Sequence, residues 1–149
     1  MEEVLRIDNI IRSGLRMPLK LEVYKHPWSI SEEERKPVAK LELHFSFFSK
    51  VKIENAHLVM EEPESSNIML NRQAVTTTPD GWWVDKAIRR LRLSEVCLKE
   101  GENALLIKIP FGFLTNVERV YIQGSFGVRH RGRQAILVPH RPDELPFRD

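Results

Sequence analysis

The residues best suited to chemistry in this chain are its three tryptophans, Trp28 and the adjacent pair Trp82 and Trp83, together with Asp85 just beyond the pair. An indole face stacks on the apolar face of a pyranose ring, and a nearby carboxylate accepts hydrogen bonds from the ring hydroxyls. Trp28, Trp82, Trp83 and Asp85 are therefore the candidate carbohydrate-binding residues. The plainer and preferred reading is that all three tryptophans fill core or cover a seam. Neighbours on a strand point to opposite faces, so one of Trp82 and Trp83 should be core.

Other constellations are weaker. Glycosidase-type catalysis needs two carboxylates about 5 to 10 Å apart. Glu61 and Glu62 are adjacent, and on a strand they face opposite ways; Glu42 and Glu118 are a distant pair that nothing marks. No catalytic residue is expected, and the chain is read as not an enzyme. The five histidines, at 26, 44, 57, 130 and 140, show no metal-ligand spacing. There is no Asp-rich calcium loop, no Gly-rich phosphate loop and no nucleophile elbow, so no metal and no cofactor is expected. The basic run Arg129-His130-Arg131-Gly132-Arg133, with Arg89, Arg90 and Arg92, has the charge to meet a polyanion but lacks interleaved aromatics. A solvated hairpin turn or a docking face for a sister domain is preferred.

Composition bounds the partners. The chain has 149 residues and a formal net charge of +2, from 23 basic and 21 acidic residues. That near balance argues against nucleic acid or membrane as the main partner. A domain of this size buries roughly two-thirds of its unfolded surface and needs no covalent staple. The single cysteine, Cys97, cannot form an internal disulfide and reads as a small buried hydrophobe. The absence of disulfides tilts localisation slightly towards the cytoplasm and otherwise leaves it open. No run approaches the ~20 apolar residues of a membrane span.

The elements that must position these residues are mostly strands. Residues 1–37 read as an irregular segment or linker. Leu5 to Met17 is weakly amphipathic, and Ser31-Glu32-Glu33-Glu34 is either a capped helical turn or, preferably, a solvated charge run. From 38 the period becomes two: in Leu41-Glu42-Leu43-His44-Phe45-Ser46-Phe47 the odd positions are apolar. Further strands are expected over 56–61, 67–75, 104–109, 117–123 and 134–138. The 104–109 run is apolar enough to be covered on both faces. Residues 81–93 read as a short strand followed by an extended or single-turn segment, after a loop whose Asp80-Gly81 step suits a tight turn. About seven short strands with turns between them predict an all-β antiparallel β-sandwich or jelly roll over 38–138. Pro139, Pro142 and Pro146 mark a Pro-rich C-terminal tail over 139–149.

Five strings in order resemble the galactose-binding-like, sugar-binding β-sandwich domain of family 2 glycoside hydrolases and related glycosidase-like proteins. His26-Pro27-Trp28 resembles its "QPW". Ile68-Met69-Leu70-Asn71 resembles "I-x-L-N-G", with Arg72 in place of glycine. Gly81-Trp82-Trp83-Val84-Asp85 resembles "G-W-x-V-D". Lys99-Glu100-Gly101-Glu102-Asn103 resembles "L-K-x-G-E-N". Glu118 to Val128 resembles "E-x-x-Y-L-x-G-D-F-G-V", with Ser125 in place of the acid. The likeness covers roughly 20–149. Arg72 implies a turn that needs no glycine conformation or uses another geometry, and Ser125 removes a carboxylate. Independently of the likeness, Gly101 should take a positive φ, and Asn103 and Asn71 should bond turn backbone.

The resemblance implies a non-catalytic accessory module of a larger, bacterial-type glycoside hydrolase-like protein, in which such domains scaffold the catalytic barrel and in some cases bind carbohydrate. Its partners would be other domains of the parent chain and carbohydrate. Many of these sandwiches hold a structural calcium, which no loop here announces. Since the family's chains run past the point where Asp149 ends this one, the likeness also implies a piece of a longer protein. The alternative is a purely structural protein–protein interaction domain without sugar binding, whose bare apolar surface would favour a homo-oligomer.

Overall fold

The computed structural model describes residues 2–20, 28, 30–93, 98–132 and 134–140. Helix α1 spans Glu2–Gly14, and ten strands follow. These are β1 (Ala39–Ser49), β2 (His57–Glu61), β3 (Asn67–Leu70), β4 (Gln73–Ala74) and β5 (Gly81–Trp83), then β6 (Asp85–Arg92), β7 (Gly101–Phe111), β8 (Tyr121–Gln123), β9 (Phe126–Arg131) and β10 (Gln134–Pro139). They form two sheets, ordered β4-β3-β7-β1-β10-β9 and β5-β6-β2-β8. All pairings are antiparallel except the short β1–β10 contact. The fold is an all-β sandwich with no closed barrel, as the period-two pattern predicts.

The core follows from that pattern. β1 pairs with β7 from Ala39 opposite Phe111 to Ser49 opposite Gly101. Residues opposite one another share a face, so Leu43, Ile107 and Ile68 form one inward row. In the other sheet Leu58, Leu91 and Ile122 form the facing row. Leu58, Leu91 and Ile107 are fully buried, each worth roughly 1.5–3 kcal/mol relative to exposure. β7, expected to be covered on both faces, has a buried inner face and a partly open outer one. Leu105, Ile107 and Ile109 are buried, Ala104 is exposed and Leu106 half-buried.

Several local expectations are corrected. Residues 2–14 are helical rather than irregular, and α1 has the reverse of the usual amphipathic arrangement. It buries Asp8 and Arg12 and exposes Ile7 and Ile10, and the turn after it exposes Leu15. Arg12 donates to Asp8 and to the carbonyls of Phe113 and Thr115, and the Val117 N–H donates to Asp8 at 2.9 Å. Because Asp8 takes that N–H, the chain joins a strand only at Tyr121, not at 117. Ser31 and Glu34 form a reciprocal cap, the Ser31 N–H donating to Glu34 Oε2 and the Glu34 N–H to Ser31 Oγ. The basic run spans a solvated hairpin: Arg129 to Arg131 lie exposed on β9, the rim strand of the larger sheet, and the reversal to β10 is at Gly132. Residues 85–92 are one continuous strand, and the tight reversal lies not at Asp80-Gly81 but at Val84, with φ 64°. Cys97, His26 and Pro27 lie outside the described residues, as does the C-terminal tail beyond His140.

Asn71 and Arg72 join β3 to β4 with φ of 51° and 68°. A two-residue hairpin with both φ positive is a type I′ turn, whose preferred sequence is Asn-Gly. The glycine conformation is therefore used after all, and an arginine bears it. Arg72→Gly is expected to stabilise the protein by about 1 kcal/mol and raise the thermal midpoint by about 2–4 °C. Calorimetry showing no rise would mean that the arginine side chain compensates its own backbone.

Candidate functional site

Tyr121, Val59, Arg90 and Gly81 lie in one cross-strand row on the outer face of the four-stranded sheet. Val59 is fully buried although it faces away from the core. Trp83 reaches this face from the rim strand β5, its ring 5.4 Å from that of Tyr121 and tilted by 60°. The pairing between β5 and β6 shifts register between Trp82 and Trp83. Val84 then reverses the chain in a left-handed conformation, unusual for a β-branched residue and typical of sites where strain serves a purpose.

Beside the aromatic pair runs a groove of about 500 Å3 between α1 and the sheet. Val4 and Leu5 form one wall, Glu61, Ile88 and Tyr121 the other, and Lys20 and Glu118 lie at one end, 3.8 Å apart. Glu61 and Glu118 also line an adjoining recess of about 50 Å3, with Glu62, Ser66 and Arg119 and an apolar side that includes Met60 and Ile107. The expectation that Glu61 and Glu62 face opposite ways holds only within a strand. β2 stops at Glu61, and Glu62 takes φ 46° before the Pro63–Ser65 turn, so both acids line the recess.

Electrostatics mark Glu61. Burial pushes its carboxyl above the usual carboxylate range, and repulsion from Glu118, Glu62 and Asp85 adds to this, with Lys20 opposing. A raised folded pKa means that the ionised form costs stability. That cost is absent below the unfolded value near 4.5 and grows as pH rises through the folded value. Glu61→Gln is therefore expected to stabilise the protein at neutral pH, by less than about 1 kcal/mol. The gain should vanish below about pH 4. Urea midpoints at the two pH values check the sign.

Next to the pair, Asp80 holds the start of β5. Its carboxylate accepts from Arg90 Nε at 3.0 Å and lies 3.4 Å from His57 Nε2. Burial pushes its pKa up, but the bonds and charges of Arg90 and His57 outweigh this and keep it below the ordinary value. A Cβ on Gly81 would stand 3.2 Å from the Arg90 guanidinium, so glycine gives that side chain room to lie across β5.

Of the four candidate residues, the structure brings two to this place. Trp83, 36% exposed, adjoins the groove through Tyr121; Asp85 acts on Glu61 through its charge while accepting from the Ala87 N–H. Trp82 is 52% exposed and lies opposite Arg89, on the other side of the rim. Trp28 is 78% exposed and lines neither cavity. None of the three is core; for Trp82 and Trp83 the reason is that β5 is a three-residue rim strand that the opposite sheet does not cover. Tyr121, Glu61, Glu118, Lys20 and Ser66 were not among the candidates; the readable signal was Pro63, which ends β2 and turns Glu62. Glu42 and Glu118 do not pair. Glu42 lies on the larger sheet, its carboxyl held below the usual range by Lys108 at 2.7 Å and by His44. Among the described residues no three His, Cys, Asp or Glu side chains are grouped to hold a metal ion, and no helix is long and apolar enough to cross a membrane. No protein-family model, curated protein or solved structure matches the chain.

Proposed function

We propose that this chain is a non-catalytic β-sandwich module of a larger glycoside hydrolase-like protein and binds carbohydrate in the groove beside Trp83 and Tyr121. The single observation that carries the reading is this tilted aromatic pair, each ring about one-third exposed, at the edge of a groove with carboxylates at hand. Aromatic walls beside a few polar groups are what a pyranose needs. The left-handed Val84 at the tip of the Trp82–Trp83 hairpin supports it, because the fold holds these rings outward at a conformational cost. The resemblance of the five sequence strings to sugar-binding sandwiches points the same way and supplies the parent class.

The test is a tryptophan-fluorescence titration with a panel of neutral and charged oligosaccharides. Trp83→Ala is expected to weaken binding about tenfold or more, the equivalent of one stacking contact of about 1.4 kcal/mol. Because Trp83 is not core, the variant should remain folded by far-UV circular dichroism. A panel without a single saturable response would dismiss the sugar-binding reading.

A second reading, a purely structural interaction domain, is favoured by a different feature: the exposed Ile7 and Ile10 on α1 and Leu15 just after it. Sedimentation equilibrium separates the two. Self-association abolished by Ile10→Glu, with no response to glycans, would favour the interaction domain.

A further inference from the structure

The recess beside the groove has chemistry that a neutral sugar does not use. Its about 50 Å3 exceeds the space of one water and suits a small polar head group. Glu61, Glu62 and Glu118 line it, and Asp85 stands close enough to raise Glu61 further. Lys20, whose charge opposes this at Glu61, is paired with Glu118, and against the three carboxylates the recess lining has one guanidinium, that of Arg119. The balance at Glu61 is therefore negative. A second, independent observation lies in the same wall. The hydroxyl oxygen of the half-buried Ser66 is itself buried and has no hydrogen-bond partner among the described residues. A buried hydroxyl without a partner is rare, and a bound polar group is one of the things that explain it. The recess opens next to the groove that Tyr121 lines and Trp83 borders, so a ring against the aromatics would have a substituent within reach of the acids.

We infer that the recess and groove together select an amino sugar, whose pyranose lies against Tyr121 and Trp83 while its ammonium group enters the recess among Glu61, Glu62 and Glu118 and donates to the Ser66 hydroxyl. The inference rests on the carbohydrate reading above and narrows it. An ammonium has three donors and no acceptor, which complements carboxylates and a free hydroxyl oxygen. It also relieves the repulsion that the acids impose on one another. An N-acetylated sugar brings no charge, one N–H donor in place of three and a bulkier group, and a uronic acid brings the wrong sign.

The experiment is isothermal titration of the whole chain at about pH 6, where such an amine is protonated. The probes are glucosamine oligosaccharides, their N-acetylated counterparts, oligogalacturonate and oligolysine. Expected is a dissociation constant at least about tenfold lower for the glucosamine oligomer than for the acetylated one. Ser66→Ala and Glu61→Gln should shrink that ratio to within about twofold, while Trp83→Ala weakens both sugars together. Glu61→Gln removes a destabilising charge, and Ser66→Ala removes a hydroxyl that has no partner, so both are expected to fold. Equal affinity for the amino and acetylated sugars, or a preference for oligogalacturonate, overturns the amino-sugar inference and leaves the carbohydrate reading standing. Oligolysine binding as tightly as the amino sugar shows that the ammonium alone is recognised and also overturns it. Silence towards every glycan removes both.

Discussion

Asp8→Ala is expected to destabilise the protein by about 3–5 kcal/mol, the cost of leaving a buried charge without its partner. Arg12 would keep its bonds to the carbonyls of Phe113 and Thr115 and its position 5.4 Å over the Phe111 ring, but would lose its counter-charge. The Val117 N–H would lose its acceptor in the same step. For a domain of about 150 residues the expected shift in the thermal midpoint is about 6–20 °C. The consequence is directional. Arg12 and Asp8 are how α1 holds residues 113–117, and those residues lead into β8 and Tyr121. Binding at the groove should therefore weaken along with stability. Replacing both members by apolar residues of similar volume, Asp8→Leu with Arg12→Met, should recover much of the loss, since a buried ion pair is often no better than well-packed hydrocarbon. Chemical denaturation of the single and double variants measures both effects. If Asp8→Ala melts within a degree of the parent, α1 is not integral to the fold.

The second large effect belongs to Asn103. It is fully buried, and all four positions of its amide are used. Oδ1 accepts from Asn71 Nδ2 at 2.9 Å and from the Lys99 N–H at 3.0 Å; Nδ2 donates to the carbonyls of Lys99 and Gly101. Asn71 in turn accepts from the Ala104 N–H at 3.1 Å. The network thus ties the left-handed β3–β4 turn to the turn that launches β7, the central strand of the larger sheet. Asn103→Ala is expected to cost about 3 kcal/mol or more, because it leaves several buried groups unpaired in addition to a cavity. Asn103→Asp keeps the acceptor but exchanges the donor for a buried charge, so it should be no better. Guanidinium midpoints compare the two; a milder Asn103→Asp would show that Nδ2 contributes little and would put the network's strength in Oδ1.

These two residues also show what was legible in advance. Asn103 was readable because its chemistry is local: a Gly-Glu-Asn turn supplies its own partners within four residues, and Gly101 takes the positive φ of 95° that the string predicts. β1 was readable because one buried face imposes alternation; β7 was readable as an apolar run, although only its inner face is fully covered. Asp8 was not readable, since its partner at 117 is 109 residues away and an ion pair buried beneath a helix inverts the hydrophobic pattern by which helices are recognised. The same limit applies to the site. Trp83 and Asp85 were picked out by residue type, but Tyr121 joins them only through the β2–β8 pairing, and Glu61 and Glu118 meet only because β2 ends before Pro63. Strand alternation would put one of Trp82 and Trp83 in the core; a rim strand of three residues cannot bury either of two adjacent indoles.

The rims of the two sheets bear on how the molecule behaves at high concentration. An unpaired strand edge offers its N–H and C=O groups to any other extended chain, and repeated addition builds fibrils. Here β4 is two residues long and β5 and β8 three each, too short to template much. The one long rim is β9, and it carries exposed Arg129, His130 and Arg131 in succession. Two such rims brought edge to edge would set arginine against arginine. The basic run, whatever else it meets, thus stands by its position as a gatekeeper against growth of the larger sheet beyond its own chain.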